Sequence, residues 1–308
     1  MGRSNVALVT GGTGFVGSNL IRRLVDIGWE IHAIVRPDSD LKALDGCVDN
    51  VSLHTHDGST EGLMDIMSVA KPVVVFHLAS LFLSEHRSKD VAQLVTSNVL
   101  FSTQLLEAMK ESGVTGLVNT GTSWQHYENK DYSPVNLYAA TKQSFEAILQ
   151  YYVETASLKA ITLKLFDTYG PDDPRPKLFH LLEKTAQSQS TLSMSPGEQL
   201  IDIVYIDDVI DAFLLAADEV LSDSNAGHRK FAVTSGHPIK LKELVKIYSE
   251  VTGKKLNIEW GGRQYREREV MSTWSKGEAL PGWQAKINLE DGVSRMLLEK
   301  GKIHGQDN

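Results

Sequence analysis

The sequence predicts an α/β protein: a doubly wound parallel sheet followed by a smaller C-terminal lobe. Three observations predict it. Short apolar runs at 6–10, 30–35, 51–54, 73–78 and 117–120 read as buried strands. Stretches of helical periodicity, at 18–26 and 91–110, alternate with them, which is the pattern of a parallel sheet covered on both faces. After Gly170-Pro171 the pattern changes, with Pro171, Pro174 and Pro176 interleaved with Asp172 and Asp173 as the chain leaves the sheet. The expected division is a first domain of 1–170 plus about 201–222, and a substrate-binding lobe of about 171–200 and 223–308.

Composition narrows the class. A chain of 308 residues, 42% hydrophobic and 23% charged, has the make-up of an ordinary globular enzyme-sized protein. Its net charge of −8 argues against a general nucleic-acid binder or a partner of anionic membranes. The single cysteine, Cys47, excludes an internal disulfide and a multi-cysteine metal site and fits a reducing compartment. The apolar run near the start is broken by Gly11, Gly12, Gly14 and Gly17, then by Arg22 and Arg23, so it reads as neither a secretory signal nor a membrane span. A cytoplasmic location is expected.

Val6-Ala7-Leu8-Val9-Thr10 runs straight into Gly11-Gly12-Thr13-Gly14-Phe15-Val16-Gly17 and an amphipathic stretch. Strand, glycine turn and helix form a seat for a pyrophosphate, because N–H groups at the helix start face the anion and the glycines let it approach. The expected fold is therefore of Rossmann type and binds a dinucleotide. The second strand ends in Arg36, where an acidic residue would serve a ribose diol and an arginine suits a 2′-phosphate. NADP is preferred on that ground, with NAD the alternative if Asp38 or Asp40 serves the ribose. Asp57, after the third strand, is placed to accept from the adenine amino group. Ala79 and Ser80, after the fourth, are small enough for a cofactor to lie close. His54 and His56 alternate on a strand with no third ligand in view, so no metal site is expected.

Ligands of such sheets bind beyond the carboxyl ends of the strands. Gly11, Arg36, Asp57, Ala79 and Ser123 all fall there. Just downstream, Asn136-Leu137-Tyr138-Ala139-Ala140-Thr141-Lys142 opens a helix over 138–155. Tyr138 and Lys142, four apart, share one helical face. An ammonium beside a phenol favours phenolate, which suits a tyrosine that trades protons near neutral pH. Ser123, at the end of the fifth strand, supplies a hydroxyl for the reacting oxygen.

Together these residues resemble the extended short-chain dehydrogenase/reductase family of NAD(P)-dependent nucleotide-sugar epimerases, dehydratases and reductases. The resemblance spans nearly the whole chain. It rests on Gly11/Gly14/Gly17, His77-Leu78-Ala79, Asn98, Ser123, Tyr138/Lys142 and Leu165-Phe166-Asp167-Thr168-Tyr169-Gly170-Pro171, matched in order. It implies that Tyr138 is the acid/base, that Lys142 binds the nicotinamide ribose and tunes Tyr138, and that Ser123, with Thr122 as fallback, orients the substrate oxygen. It further implies cofactor contacts from Leu78, Ser80 and Asn98, and substrate contacts from Trp124, Asp167 and Lys177. Of Arg263, Arg266 and Arg268, the resemblance favours Arg266 as the clamp on a sugar nucleotide's diphosphate.

Departures from the family pattern narrow the reaction. Dehydratases carry an acidic pair after the Ser/Thr, where this chain has Trp124 and Gln125. The 3,5-epimerase/reductases need a Cys/His pair, and Cys47 lies far from the fifth strand. Ile201 stands where the family's Arg-Asp-Phe segment has its arginine. What is left is a nucleotide-sugar 4-ketoreductase or a 4-epimerase with tightly held NAD, with a non-catalytic dinucleotide-binding homologue as a third reading. Gly197-Glu198-Gln199, Arg266 with Glu269-Val270-Met271, and the interval from Ser123 to Tyr138 look most like the abequose-synthase type of reductase. Such enzymes reduce a nucleotide-linked 4-keto-3,6-dideoxyhexose for surface polysaccharide. By analogy with the family, helices over 91–110 and 138–155 would pair into a homodimer. A helix over 288–299 is expected to close the fold, leaving 301–308 as a frayed tail.

Overall fold

The computed structural model describes residues 5–222 and 227–304, with side chains described through 298. In chain order it builds β1 (Val6–Thr10), α1 (Phe15–Asp26), β2 (Glu30–Val35), β3 (Val51–Thr55), α2 (Thr60–Ala70), β4 (Val74–His77), α3 (Val91–Val95), α4 (Phe101–Glu111), β5 (Gly116–Thr122), α5 (Leu137–Ala156) and β6 (Lys159–Leu165). The remainder comprises β7 (Asp167–Tyr169), α6 (Leu178–Ser188), β8 (Thr191–Met194), β9 (Leu200–Ile201), β10 (Ile203–Tyr205), α7 (Ile206–Leu221), β11 (Gly227–Val233), β12 (Ile239–Lys240), α8 (Leu241–Thr252), β13 (Asn257–Trp260) and α9 (Leu289–His304).

Seven strands pair in the order β11-β6-β5-β4-β1-β2-β3, every neighbour parallel. The chain enters at β1, winds outward through β2 and β3, then crosses back to β4. That reversal makes the β1/β4 gap the switch point where ligands of open α/β sheets bind. Both faces are covered. Leu20, Ile21 and Leu24 of α1 pack with Ile210 and Phe213 of α7 on one side. Leu63 and Met67 of α2 pack with Leu105 and Met109 of α4 and Phe145 and Leu149 of α5 on the other. Burying each such side chain contributes roughly 1.5–3 kcal/mol, which explains the near-continuous apolar runs of the strands.

The structure extends the sequence reading in several places. β11, assigned by sequence to the smaller lobe, is the edge strand beside β6. The stretch expected as one helix over 91–110 is α3, a π-helical turn at Thr96–Leu100, and α4. α1 begins at Phe15, not three residues later, because Gly14 already takes the N-cap conformation. The closing helix runs on through His304, so the expected frayed tail is helical to that point, and 305–308 lie outside the described residues.

Beyond β6 the chain builds three short two-stranded pairings, β7 with β10, β8 with β13, and β9 with β12. Ile201, in the family's arginine position, pairs with Ile239 across β9 and β12. No described helix is long and apolar enough to cross a membrane.

The tightest backbone contact lies at the switch point. A Cβ on Gly17 would stand 2.1 Å from the Gly11 carbonyl oxygen, so α1 sits against the turn only because Gly17 lacks a side chain. We predict that Gly17→Ala lowers stability in urea by about 1–3 kcal/mol through this overpacking and weakens dinucleotide affinity with it. An alanine variant of wild-type stability would contradict the contact.

Candidate active site

At the end of β1 the chain turns through Gly11, whose φ of +72° and whose Cβ position, 2.5 Å from the Ala79 nitrogen, both demand glycine. Gly14 then N-caps α1 without a side-chain hydrogen bond. The first-turn N–H groups of α1 are thus left to an incoming anion. Gly11, Gly14, Phe15, Val16 and Gly17 line one wall of a cavity of about 230 Å³, and Leu78 and Ser80 line it beyond β4. A turn kept tight by glycines whose Cβ atoms would strike backbone at Gly11 and Gly17, with helical N–H groups left unbonded beside it, fits a dinucleotide pyrophosphate.

Thr120 to Trp124, Tyr138 and Lys142 line the same cavity. β5 carries its ladder to Thr122 and delivers Ser123 at its carboxyl end. The Asn136 side chain accepts from the Ala139 N–H at 2.9 Å and caps α5 just before Tyr138. The i, i+4 spacing then sets the phenol and the ammonium on the cavity face.

Electrostatics correct one sequence expectation. Burial pushes the Tyr138 phenol up to about 12, and the groups that pull it down are the Ser80 hydroxyl, through a hydrogen bond, and the Arg175 charge. Lys142 is not among them. Burial lowers Lys142 itself to about 8, opposed by the Glu146 carboxylate. His77, buried beneath, bonds Thr10 Oγ1 and Ser102 Oγ, each at 2.8 Å. Burial first, then the Lys142 charge, lower it to about 3, so it holds β4 to β1 and α4 as a neutral ring.

Behind these groups lies a network that sequence reading missed. Glu146, one turn beyond Lys142, is buried. Its Oε1 accepts from Gln125 Nε2 at 2.7 Å, and its Oε2 lies 3.3 Å from both Lys164 and Lys230. Oε2 makes no hydrogen bond of good geometry, so its pairing with the two lysines is ionic. Burial alone would raise Glu146, but Lys164, Gln125 and Lys230 outweigh it and hold the carboxyl below its ordinary range. Gln125 also accepts from the Thr122 N–H at 3.0 Å, and Lys164 bonds His126 Nε2 at 2.8 Å. A lysine within the strand-like stretch Ala160–Leu165, whose only other polar residue is Thr162, was the available signal.

Two further cavities adjoin the first, of about 340 Å³ and 150 Å³, and Trp124 and Asp167 line all three. Lys177 reaches Asp167 at 3.3 Å. Arg175, unremarked in the sequence, grips Asp173 with Nε and a terminal nitrogen, both at 2.7 Å, and lies over the Phe15 ring. Arg266 lines the smallest cavity, its fork held by Glu269 at 3.0 and 2.8 Å. Arg268 instead straps its loop to the segment after Ser123, bonding Ser133 at 2.7 Å and lying 4.4 Å from the Tyr127 ring centre.

Other sequence candidates lie outside the cavity. Arg36 is exposed at the end of β2, 3.4 Å from Asp38. Asp57 is exposed, and its Oδ1 accepts the backbone and side-chain donors of Ser59. Thr13 and Ala79 are not on the cavity wall, and Ala79 packs on Gly11. Asn98 spends its amide inside the protein. Its Oδ1 accepts from Leu81 N and Ser80 Oγ, and its Nδ2 donates to Leu81 O and Thr141 Oγ1. It ties the loop after β4 to α5 and shows no contact with the cavity. Among the described residues, no group of three His, Cys, Asp or Glu is placed to hold a metal ion.

A parallel sheet with a glycine cradle at its switch point and a Tyr/Lys pair beside it defines a dinucleotide-dependent α/β enzyme class. Residues 7–228 match the model of the NAD dependent epimerase/dehydratase family, and the chain belongs to that family. It is 28% identical over 296 residues to the CDP-abequose synthase of Salmonella muenchen, covering 95% of this chain and 97% of that one. It is 26% identical to the UDP-glucose 4-epimerase of Mycolicibacterium smegmatis, covering 94% and 96%. Among solved structures it is similar to the Thermotoga maritima UDP-glucose 4-epimerase with UDP-glucose, at TM-score 0.84 and 23% identity, covering 97% and 99%. It is also similar to the Thermus thermophilus UDP-glucose 4-epimerase complex with NAD, at TM-score 0.78 and 23% identity, covering 94% and 97%.

The lowered Lys142 yields a prediction with a definite sign. Its ordinary value is 10.5 and its folded value is about 8, so the unfolded chain binds more protons between those two pH values. Stability from this group therefore rises as pH rises through that window, and at pH 7 the buried ammonium opposes folding. Lys142→Met should raise the melting temperature at pH 7 and lose that advantage towards pH 10.5, while turnover is abolished. A pH-independent difference in melting temperature would contradict the assignment.

Proposed function

We propose that this chain is an NADPH-dependent reductase of the 4-keto group of a nucleotide-linked 6-deoxy or 3,6-dideoxy hexose, serving the synthesis of a surface polysaccharide sugar. One observation carries the reading: Ser123, Tyr138 and Lys142 share a cavity with the glycine cradle, and the two residues after Ser123 are Trp and Gln. Neither Trp124 nor Gln125 can act as the acid or base that elimination of water needs. The abequose synthase relative supports the same reading. Arg36 at the end of β2 supports NADP, with Asp38 beside it keeping NAD as the alternative.

The bound dinucleotide supplies the hydride. The chain's own residues manage the oxygen. Ser123 donates a hydrogen bond to the ketone and so favours charge building there. Tyr138, raised to about 12 by burial, is protonated at neutral pH and delivers its proton to that oxygen. Lys142, with a value of about 8, keeps a positive charge in the cleft at pH 7. Arg266 and Lys177 hold the diphosphate side of the substrate, with Asp167 and Thr122 beside the sugar. Exposed Val95 and Leu100 on the stretch 91–110, and Tyr151 on α5, support a homodimer.

The second reading is a nucleotide-sugar 4-epimerase with tightly held NAD, favoured by the epimerase relative. Absorbance of the purified protein separates the two, since an epimerase keeps its dinucleotide through purification. The reductase reading predicts NADPH consumption with at least one member of a panel of nucleotide-linked 4-keto-6-deoxy sugars. Tyr138→Phe should cut kcat by about 10²–10⁴-fold and leave dinucleotide affinity intact. Unchanged turnover in that variant would show that Tyr138 is not the proton donor.

A further inference from the structure

Three cations line the cavity that holds the glycine turn: Lys142, Arg175 and Lys177. Lys142 stands one helical turn from Tyr138, and Lys177 is paired with Asp167. Arg175 has no part in the proposed chemistry, yet its side chain is firmly held. Asp173 Oδ1 accepts from its Nε and Asp173 Oδ2 from its Nη2, both at 2.7 Å. Nη2 also donates to the Thr168 carbonyl at 3.0 Å and to Thr168 Oγ1 at 3.2 Å. The segment that carries it is stiff. Pro171, Pro174 and Pro176 fix their own φ, and Asp172 takes a left-handed φ of +54°.

These bonds leave one edge of the guanidinium unused. Nη1 has no hydrogen-bond partner among the described residues. The guanidinium carbon lies 4.5 Å from the centre of the Phe15 ring, and Phe15 is the first residue of α1. Neither the glycine turn nor the first turn of α1, Phe15 to Ser18, carries a charged side chain. A dinucleotide diphosphate seated there brings two negative charges that backbone dipoles alone would have to balance. A guanidinium beside that seat, its plane fixed before the ligand arrives, adds charge-assisted bonds at little further entropic cost.

We propose that Arg175 is a binding residue for the dinucleotide's diphosphate, its unused edge meeting the phosphate on the nicotinamide side. The side follows from the cavity. Tyr138 and Lys142 form its other wall, whereas Arg36, at the end of β2 where the adenosine end is expected, is not on it. The counter-charge for the glycine turn thus comes from the segment after β7, which lines the larger cavity as well. The inference rests on the proposed dinucleotide-dependent function and holds for a reductase and an epimerase alike.

The test is calorimetric binding to the full chain, freed of any co-purified dinucleotide. The probes are ADP-ribose, which has both phosphates, and AMP, which has only the adenosine-side one, each also in its 2′-phosphorylated form. Arg175→Met, which keeps a carbon stem over Phe15, should weaken ADP-ribose by about 10- to 100-fold and leave AMP within about twofold. Arg175→Lys keeps the charge and loses the fork, so its loss should be smaller and should again spare AMP. An equal loss on both probes would mark a merely structural role and overturn the proposal, as would unchanged ADP-ribose affinity in both variants. CDP and UDP form a third arm. If Arg175→Met weakens these and spares ADP-ribose, the residue serves the sugar nucleotide and the proposal fails. Because binding alone is read, absence of 4-keto reduction would sink the reductase reading only, and failure of the arginine would leave that reading intact.

Discussion

One buried carboxylate organises the corner around Ser123, Tyr138 and Lys142. Glu146 continues the face of α5 that carries Tyr138 and Lys142, so its position fixes theirs. Through Gln125 it grips the segment that bears Ser123, and through Lys164 it grips β6. Helix, loop and strand are thereby referred to a single anion. Replacing such a buried charge without its partners typically costs about 3–5 kcal/mol, because the lysines are left uncompensated. The same anion opposes the loss of charge on Lys142, which otherwise follows from burial.

The second constraint is steric and lies across the sheet. The absence of a side chain at Gly17 lets α1 lie against the turn after β1, and its absence at Gly11 lets that turn lie against Ala79 in the loop after β4. Winding outward from β1 and then returning at β4 brings the loop after β4 to the same gap. Asn98, in its π-helical turn, pins that loop to α5 by bonds to Leu81 and Thr141. The glycine turn and Tyr138 therefore meet because topology and one amide join them. The far side is closed by the C-terminal loop, where Arg268 and Trp274 dock on Tyr127, Ser133 and His126.

Much of this was legible in the sequence. Apolar runs with glycine punctuation marked the strands of the sheet up to β5, and i, i+4 spacing placed Tyr138 and Lys142 together. Contacts between distant positions were not legible. Glu146, Lys164 and Gln125 look like unrelated polar residues until the fold joins them, and Arg175 becomes notable only when it lies over Phe15. β11 was missed because its polar half, Gly227 to Lys230, hides the apolar half that follows. Asn98 was expected at the cofactor, yet its hydrogen-bonding capacity is spent within the protein. The expectation that Lys142 lowers Tyr138 failed because spacing reports a shared face, whereas desolvation sets the sign of the shift.

The proposed reduction makes a claim about a single carbon: hydride arrives at C4 of the sugar and stays. NADPH labelled with deuterium at the transferred position, incubated with a nucleotide-linked 4-keto-6-deoxyhexose and the protein, tests it by mass spectrometry of the product. The account predicts one deuterium per product molecule at C4, with stoichiometric NADP formed. Turnover of a nucleotide hexose with no label at C4 and no net NADP would contradict it.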